Sequence, residues 1–266
     1  KEQKCQTAEI KKAMETIDMN GVKPFDFKYE VPEIKFEGEE VFKTRMIYAF
    51  SGLFLRAFDV DSREFCPDEQ LEAYRKLGVN GIWTQGILSQ LTEFPFDPSI
   101  SKGYEKRLER MRDFTDRLEK FGIKLYLYIN EPRYMTEEFF EKHPHLRGHE
   151  LKSKKICMCT STPEVQNNLR NNIEALCRAV PKHGGLFTIT RSENPTNCYS
   201  HSKAKYLPED PTCPRCSKRS VGEVIGEVME CISEGAHSAN PDIKVMAWSW
   251  SWGAHREDII RHLPKD

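Results

Sequence analysis

The sequence has no apolar run approaching the ~20 residues that a helix needs to span a bilayer, so no membrane-crossing helix and no membrane partner is expected. It has no leading Met, and Lys1-Glu2-Gln3-Lys4-Cys5 lacks the charged-then-apolar order of a secretion signal, which leaves the export history of a longer parent open. An excess of one charge is also missing. With 40 Lys+Arg against 41 Asp+Glu the formal net charge is −1, which removes the electrostatic ground for nucleic acid or an anionic surface as main partner. A neutral or mixed ligand fits better. No glycine-rich phosphate turn follows the first apolar run, and Ser51-Gly52-Leu53 is too short to replace one. The nine cysteines are odd in number and cluster as Cys157-x-Cys159 and Cys213-x-x-Cys216 instead of spreading as a disulfide frame, so reduced thiols in a cytoplasmic setting are expected.

What is present is enough for a core. A chain of 266 residues with 38% hydrophobic content supports one barrel-sized domain or two ordinary ones. Residues 1–43 read as an appendage, with a polar helix around Ala8 to Ile17 and an extended Pro-containing stretch from Phe25 to Phe36. From 44 to 266, short apolar runs alternate with amphipathic helices, the pattern of repeated βα units and a parallel sheet. The predicted strands are Met46 to Phe50, Gly81 to Gln85, Lys124 to Ile129, Leu186 to Thr190 and Lys244 to Trp248. Between them lie helices whose apolar residues recur at helical spacing, among them Leu108, Met111, Phe114 and Leu118 before the stop at Gly122. About five βα units stand against the eight strands of a closed barrel. The expectation is an α/β fold of (β/α)8 TIM-barrel type, truncated after about five units, in preference to a doubly wound sheet.

In such folds ligands sit where strands end and loops begin. Those positions carry Trp83-Thr84-Gln85, Asn130-Glu131 with Arg133, Arg191-Ser192-Glu193-Asn194, and Trp248-Ser249-Trp250-Ser251-Trp252. A carboxylic acid among aromatic rings has its charged form desolvated, which raises its pKa toward the range of a general acid and makes Glu193 and Glu131 the catalytic candidates. An arginine beside each could instead hold it ionised, so their acid and base roles stay open; the competing reading is a structural network of Glu131 with Arg133 and Glu193 with Arg191. Asn130, Arg133, Arg191, Asn194, Trp83, Gln85, Trp248 and Trp250 are the candidate substrate contacts. Strand alternation predicts Trp248, Trp250 and Trp252 on one side, their flat faces available to a sugar ring; the competing reading is that a Trp-rich strand is core material.

The Cys213-Pro214-Arg215-Cys216 knuckle supplies two thiolates at a spacing that structural zinc sites favour, and Cys198 with His201 could complete a tetrahedron. Cys157 and Cys159 are an alternative pair, and free thiols are the competing reading. No cofactor is expected for catalysis. His143, His145 and His149 do not share a helix face and are expected in solvent, as is the basic turn Lys152 to Lys155.

Several of these features occur in a familiar order: a helix ending in Gly122, the strand Leu125 to Ile129 followed by Glu131-Pro132, the helix start Thr160-Ser161-Thr162-Pro163-Glu164-Val165, and a strand leading to Ser192-Glu193. Over roughly Arg45 to Trp252 this order resembles the catalytic barrel of glycoside hydrolase family 20, the β-N-acetylhexosaminidases, and is closer to a hexosaminidase-like group beside that family than to the family proper. The resemblance implies a carbohydrate substrate and assigns Glu193 the proton donated to the leaving oxygen. In the family an aspartate before that glutamate orients the substrate acetamide; Ser192 stands there instead, so Asn194, Asn130 or Glu131 would have to supply that role. Thr190-Arg191 replace the family's glycine pair, and the cysteine loop is not a family feature. Trp248 matches the aromatic wall around the family's sugar. The leading functional expectation is a glycoside hydrolase. The others are a non-catalytic carbohydrate-binding or scaffold barrel with a structural zinc loop, and a metal-dependent hydrolase using the cysteine loop.

Overall fold

The computed structural model describes residues 32–33, 42–49, 56–151, 153–191, 194–200 and 211–265. The helix and extended stretch expected within 1–36 lie almost wholly outside these residues, as do Phe50, Ser51-Gly52-Leu53, Lys152, Ser192, Glu193 and His201.

The strands are β1 Met46–Tyr48, β2 Gly81–Gly86, β3 Lys124–Ile129, β4 Arg147–Glu150, β5 Ile156–Met158, β6 Gly185–Thr188 and β7 Lys244–Ala247. The helices are α1 Ser62–Phe65, α2 Asp68–Lys76, α3 Leu88–Leu91, α4 Tyr104–Lys120, α5 Glu137–Lys142, α6 Pro163–Ala179, α7 Val221–Ala239 and α8 Arg256–His262. Five strands form one sheet in the order β1-β2-β3-β6-β7, and every neighbouring pair is parallel. Among the described residues this sheet is open and does not close into a barrel. No helix among them is long and apolar enough to cross a membrane.

Alternation along the strands sorts the side chains onto two faces. Ile82, Leu125, Leu127, Ile129 and Leu186 pack into one cluster with Met111, Phe114 and Leu118 of α4, Ile173 and Leu176 of α6, and Val228 and Ile232 of α7. Each such side chain, taken fully out of water, stabilises the fold by about 1.5–3 kcal/mol before ordering costs. The helices start where their sequence says. Pro163 occupies the first turn of α6, and at α7 the Ser220 hydroxyl accepts from the Glu223 N–H while the Glu223 carboxylate accepts from the Ser220 N–H.

The opposite face is aromatic. The rings of Tyr48 and Trp83 stack with centroids 4.1 Å apart, and Trp83 meets Phe187 edge-on at 5.2 Å. Tyr128 stacks on Phe187 at 5.2 Å, and the series continues from Phe187 to Trp248 at 6.0 Å and from Trp248 to Trp250 at 5.6 Å. In a closed barrel this face would line the interior.

Three local expectations are corrected. The loop through His143, His145 and His149 and the turn Lys152 to Lys155, expected in solvent, belong in large part to the antiparallel β4–β5 hairpin, whose turn carries Lys154 at φ 65°. His149 is buried there, with Nδ1 3.1 Å from Thr212 Oγ1 and accepting from the Thr212 N–H at 3.2 Å, while His143 packs its ring on Phe139; only His145 is exposed. The strand expected over Gly81 to Gln85 runs one residue further, to Gly86, so Trp83 and Gln85 lie within β2 and the strand end falls just beyond them. The third concerns Trp252. β7 ends at Ala247, Ser251 takes φ 60°, and the turn swings Trp252 into a buried cluster with Val221, Ile225, Met229 and Ile259, away from the exposed Trp248 and Trp250.

Candidate functional site at the strand ends

Because all five strands of the main sheet run the same way, their carboxyl ends share one edge. Gln85, Tyr128 and Phe187 are register partners on the aromatic face near that edge, and Trp248 continues the row by donating its backbone N–H to Thr188 O at 2.9 Å. Gln85 is buried, and its Oε1 has no hydrogen-bond partner among the described residues. Asn130, the first residue after β3, is buried, and its carboxamide, turned to donate, reaches Tyr128 Oη at 3.0 Å and Ile189 O at 3.3 Å. Trp248 and Trp250 are 43% and 50% exposed, the ring faces most open to a ligand.

Arg191 is only 1% exposed, which is unusual for a guanidinium. Its Nη1 donates to Ser251 O at 2.5 Å, tying the segment after β6 to the turn after β7, while Nε and Nη2 lack partners among the described residues. Burial lowers its basicity, and burial together with the Arg191 charge pushes the His255 imidazole below its ordinary value. Thr190 secures the same segment: its carbonyl accepts from Thr196 Oγ1 and Asn197 Nδ2, and its hydroxyl from Trp252 Nε1. Asn194 is half-buried just beyond. Glu193, between Arg191 and Asn194 in the chain, lies outside the described residues.

Glu131 sits elsewhere. Two residues beyond Ile129, it falls on the helix side of the sheet, in a cleft shared with Leu88, Met158, Leu169 and Asn172. Oε1 accepts from the Leu88 N–H at the start of α3 (2.7 Å), Oε2 from the Arg133 N–H (3.1 Å), and Arg133 Nε stands 3.9 Å away. Burial raises the Glu131 pKa above the ordinary carboxylate range, opposed by the Arg133 charge and the two backbone donors. Its carboxylate therefore links three segments: β3, the start of α3, and the loop beyond Pro132.

The cysteine residues converge on a different point. Sulfurs of Cys159, Cys198, Cys213 and Cys216, all buried, lie within 4.8 Å of one another, an arrangement that could hold a metal ion. Three of these were expected from sequence; the fourth described sulfur is Cys159 of the alternative pair, while His201 lies outside the described residues. Cys157 points away, its Sγ donating to Asn197 O at 3.0 Å. No described cysteine forms a disulfide.

The sequence matches no protein-family model and no curated protein. Its fold is similar to those of solved glycoside hydrolases. One is the pneumococcal virulence factor StrH, from a study of N-glycan recognition and hydrolysis (TM-score 0.51, 13% identity, 82% of this chain and 55% of that one). Another is a β-N-acetylhexosaminidase from Bacteroides fragilis (TM-score 0.47, 13% identity, 83% and 48%). A third is a family 36 α-galactosidase from Geobacillus stearothermophilus in complex with stachyose (TM-score 0.49, 12% identity, 84% and 30%). The chain thus spans about a third to a half of the length of these proteins. At these identities the likeness defines a class of fold, a mixed α/β architecture with a parallel sheet whose neighbours are glycoside hydrolases of TIM-barrel type.

Proposed function

We propose that this chain provides the sheet and strand-end rim of a glycoside hydrolase of truncated (β/α)-barrel type, with Glu193 as the general acid. The observation that carries the reading is the continuous run of rings from Tyr48 to Trp250 on one face of a parallel sheet, reaching the edge where Asn130 and Arg191 stand. Aromatic faces beside a few convergent polar groups suit the alternating apolar and hydroxylated surfaces of a sugar.

In this reading Trp248 and Trp250 stack against a sugar ring, and Trp83 supports them from within the sheet. Gln85, Asn130 and Asn194 supply hydrogen bonds to hydroxyl or acetamide groups. Arg191, two residues before Glu193 in the chain, ties the segment after β6 to the turn after β7. With both Glu131 oxygens engaged on the helix side, Glu131 and Arg133 hold the β3 rim in position, and the nucleophile that complements Glu193 is a group of the substrate.

Turnover of a panel of aryl glycosides by the wild-type protein and by Glu193→Gln tests the proposal. Loss of a positioned general acid should lower kcat by about 10²–10⁴-fold. Equal rates in the two proteins would remove Glu193 from the mechanism. Saturable sugar binding without turnover in either would favour a carbohydrate-binding module that uses the same aromatic face.

A further inference from the structure

The segment between β6 and α7 is long and carries no strand or α-helix among its described residues, yet residues 195–198 are buried at one end and Cys213 and Cys216 at the other. Loops of this length inside a packed domain need something to hold them. Apolar packing supplies little here, since the local cluster consists of Cys159, Cys198, Cys213, Cys216 and Val224, with Tyr199 against it. Four sulfurs, exposed by 0–2%, therefore take the place of a core.

We propose that Cys159, Cys198, Cys213 and Cys216 bind one structural zinc ion as four thiolates, clamping the β4–β5 hairpin to both ends of the β6–α7 segment. The inference stands whether or not the chain cleaves glycosides.

Sulfur spacing is the first argument. A tetrahedral zinc with Zn–S bonds of about 2.3 Å places its sulfurs about 3.8 Å apart. Here Cys159 Sγ lies 3.5 Å from Cys213 Sγ and 3.7 Å from Cys216 Sγ, and no pair exceeds 4.8 Å.

The surroundings are built for thiolate charge. Arg215 Nε donates to Cys159 Sγ at 3.1 Å, the His149 backbone N–H to Cys198 Sγ at 3.4 Å, and Ser161 Oγ lies 3.4 Å from Cys216 Sγ. Arg219 in turn donates to Ser161 Oγ at 2.6 Å. Four thiolates and one zinc ion carry a net charge of −2, which the guanidinium of Arg215 offsets directly and that of Arg219, shared with Glu227, offsets in part.

Space is reserved too. A Cβ at position 148 would stand 2.7 Å from Cys198 Sγ and 2.9 Å from Cys157 O, so only glycine lets the hairpin come this close. Four protein sulfurs fill a tetrahedral shell and leave no position for water or substrate, which makes the ion structural and not a hydrolytic centre.

The test is metal content of the full chain purified under reducing conditions. One zinc per chain is expected, exchangeable for cobalt with the strong visible absorption of a tetrahedral thiolate site. Cys159→Ala should lose the ion, whereas Cys157→Ser and His201→Ala should keep it at one per chain. If a cysteine variant does not fold, mercurial titration of the wild-type chain in the presence of a zinc-sensitive dye still reports one zinc released by the cluster. A wild-type chain holding no metal, or holding iron, overturns the proposal, and so does loss of zinc from His201→Ala with retention in Cys159→Ala.

Discussion

Trp252 Nε1 donates to Thr190 Oγ1 at 3.4 Å, which fixes the turn after β7 against the segment after β6 from the helix side of the sheet. The indole is 3% exposed, whereas that of Trp248, four residues earlier, is 43% exposed. Two tryptophans in one short stretch thus do opposite things.

Stability measurements should separate them. Trp252→Ala removes a buried indole and is expected to cost about 3–5 kcal/mol. Trp248→Ala should stay within about 0.5–1 kcal/mol of wild type, because much of the ring faces solvent. Urea denaturation of both variants checks this, and equal losses would refute the opposed placement.

Glu131 predicts a pH effect. Its folded-state pKa is raised, chiefly by burial, so the native state holds its proton more tightly than the unfolded chain does. The contribution to stability is fully present below the ordinary glutamate value of about 4.3 and declines as pH rises through the raised folded value. Replacing Glu131 with Gln removes that decline. Thermal midpoints measured from pH 4 to pH 8 should fall less steeply for the variant, and parallel curves would show that the two backbone donors fully offset burial.

Gly148→Ala forces a methyl group onto Cys198 Sγ and the Cys157 carbonyl. Overpacking of this kind costs about 1–3 kcal/mol. Denaturant midpoints report the loss, and an unchanged midpoint would mean that the hairpin moves aside freely.

Arg117 joins α4 to the α1–α2 connection. Its guanidinium is 4% exposed and donates to Asp68 at 2.6 Å, Ser62 Oγ at 2.7 Å and Cys66 O at 2.8 Å. Arg117→Ala leaves the Ser62 hydroxyl and Cys66 carbonyl buried without their donor. A loss of about 2–3 kcal/mol in chemical denaturation is expected, the exposed Asp68 adding little.

Burial pushes the thiols of Cys66 and Cys177 up to about 12 and that of Cys231 up to about 11. Alkylation needs the thiolate, so these three should resist iodoacetamide in the native protein near neutral pH and react once it is unfolded. Peptide mass spectrometry resolves each site, and rapid native labelling of Cys177 would contradict its environment.

The parallel sheet was legible from sequence because each βα unit is a local pattern: an apolar run, a helical stripe such as Leu108 to Leu118, and a glycine stop. β4 and β5 were not, since Arg147-Gly148-His149-Glu150 is polar and its burial comes from partners distant in sequence, Thr212 and Cys198. Trp252 was misplaced for a related reason. Period-two alternation holds only while the chain remains a strand, and the left-handed Ser251 breaks it. The knuckle at Cys213 and Cys216 announced itself by spacing, but Cys159 joins them across more than fifty residues, and only the fold brings it there. Glu131 and Asn130 are adjacent in sequence just past β3, yet one meets the Leu88 N–H in the helix layer and the other Tyr128 Oη on the aromatic face.

The stacked and edge-on rings give the sheet an internal optical reporter. Trp83, held 4.1 Å from Tyr48 and in edge contact with Phe187, is a rigid chromophore in an asymmetric setting and should dominate the near-ultraviolet circular dichroism. Trp248 and Trp250, open to solvent, should dominate quenching by iodide. A ligand laid over the outer indoles would then shield the quenchable emission while leaving the dichroic signal of Trp83 intact, so occupancy and folding can be followed separately in one unlabelled sample.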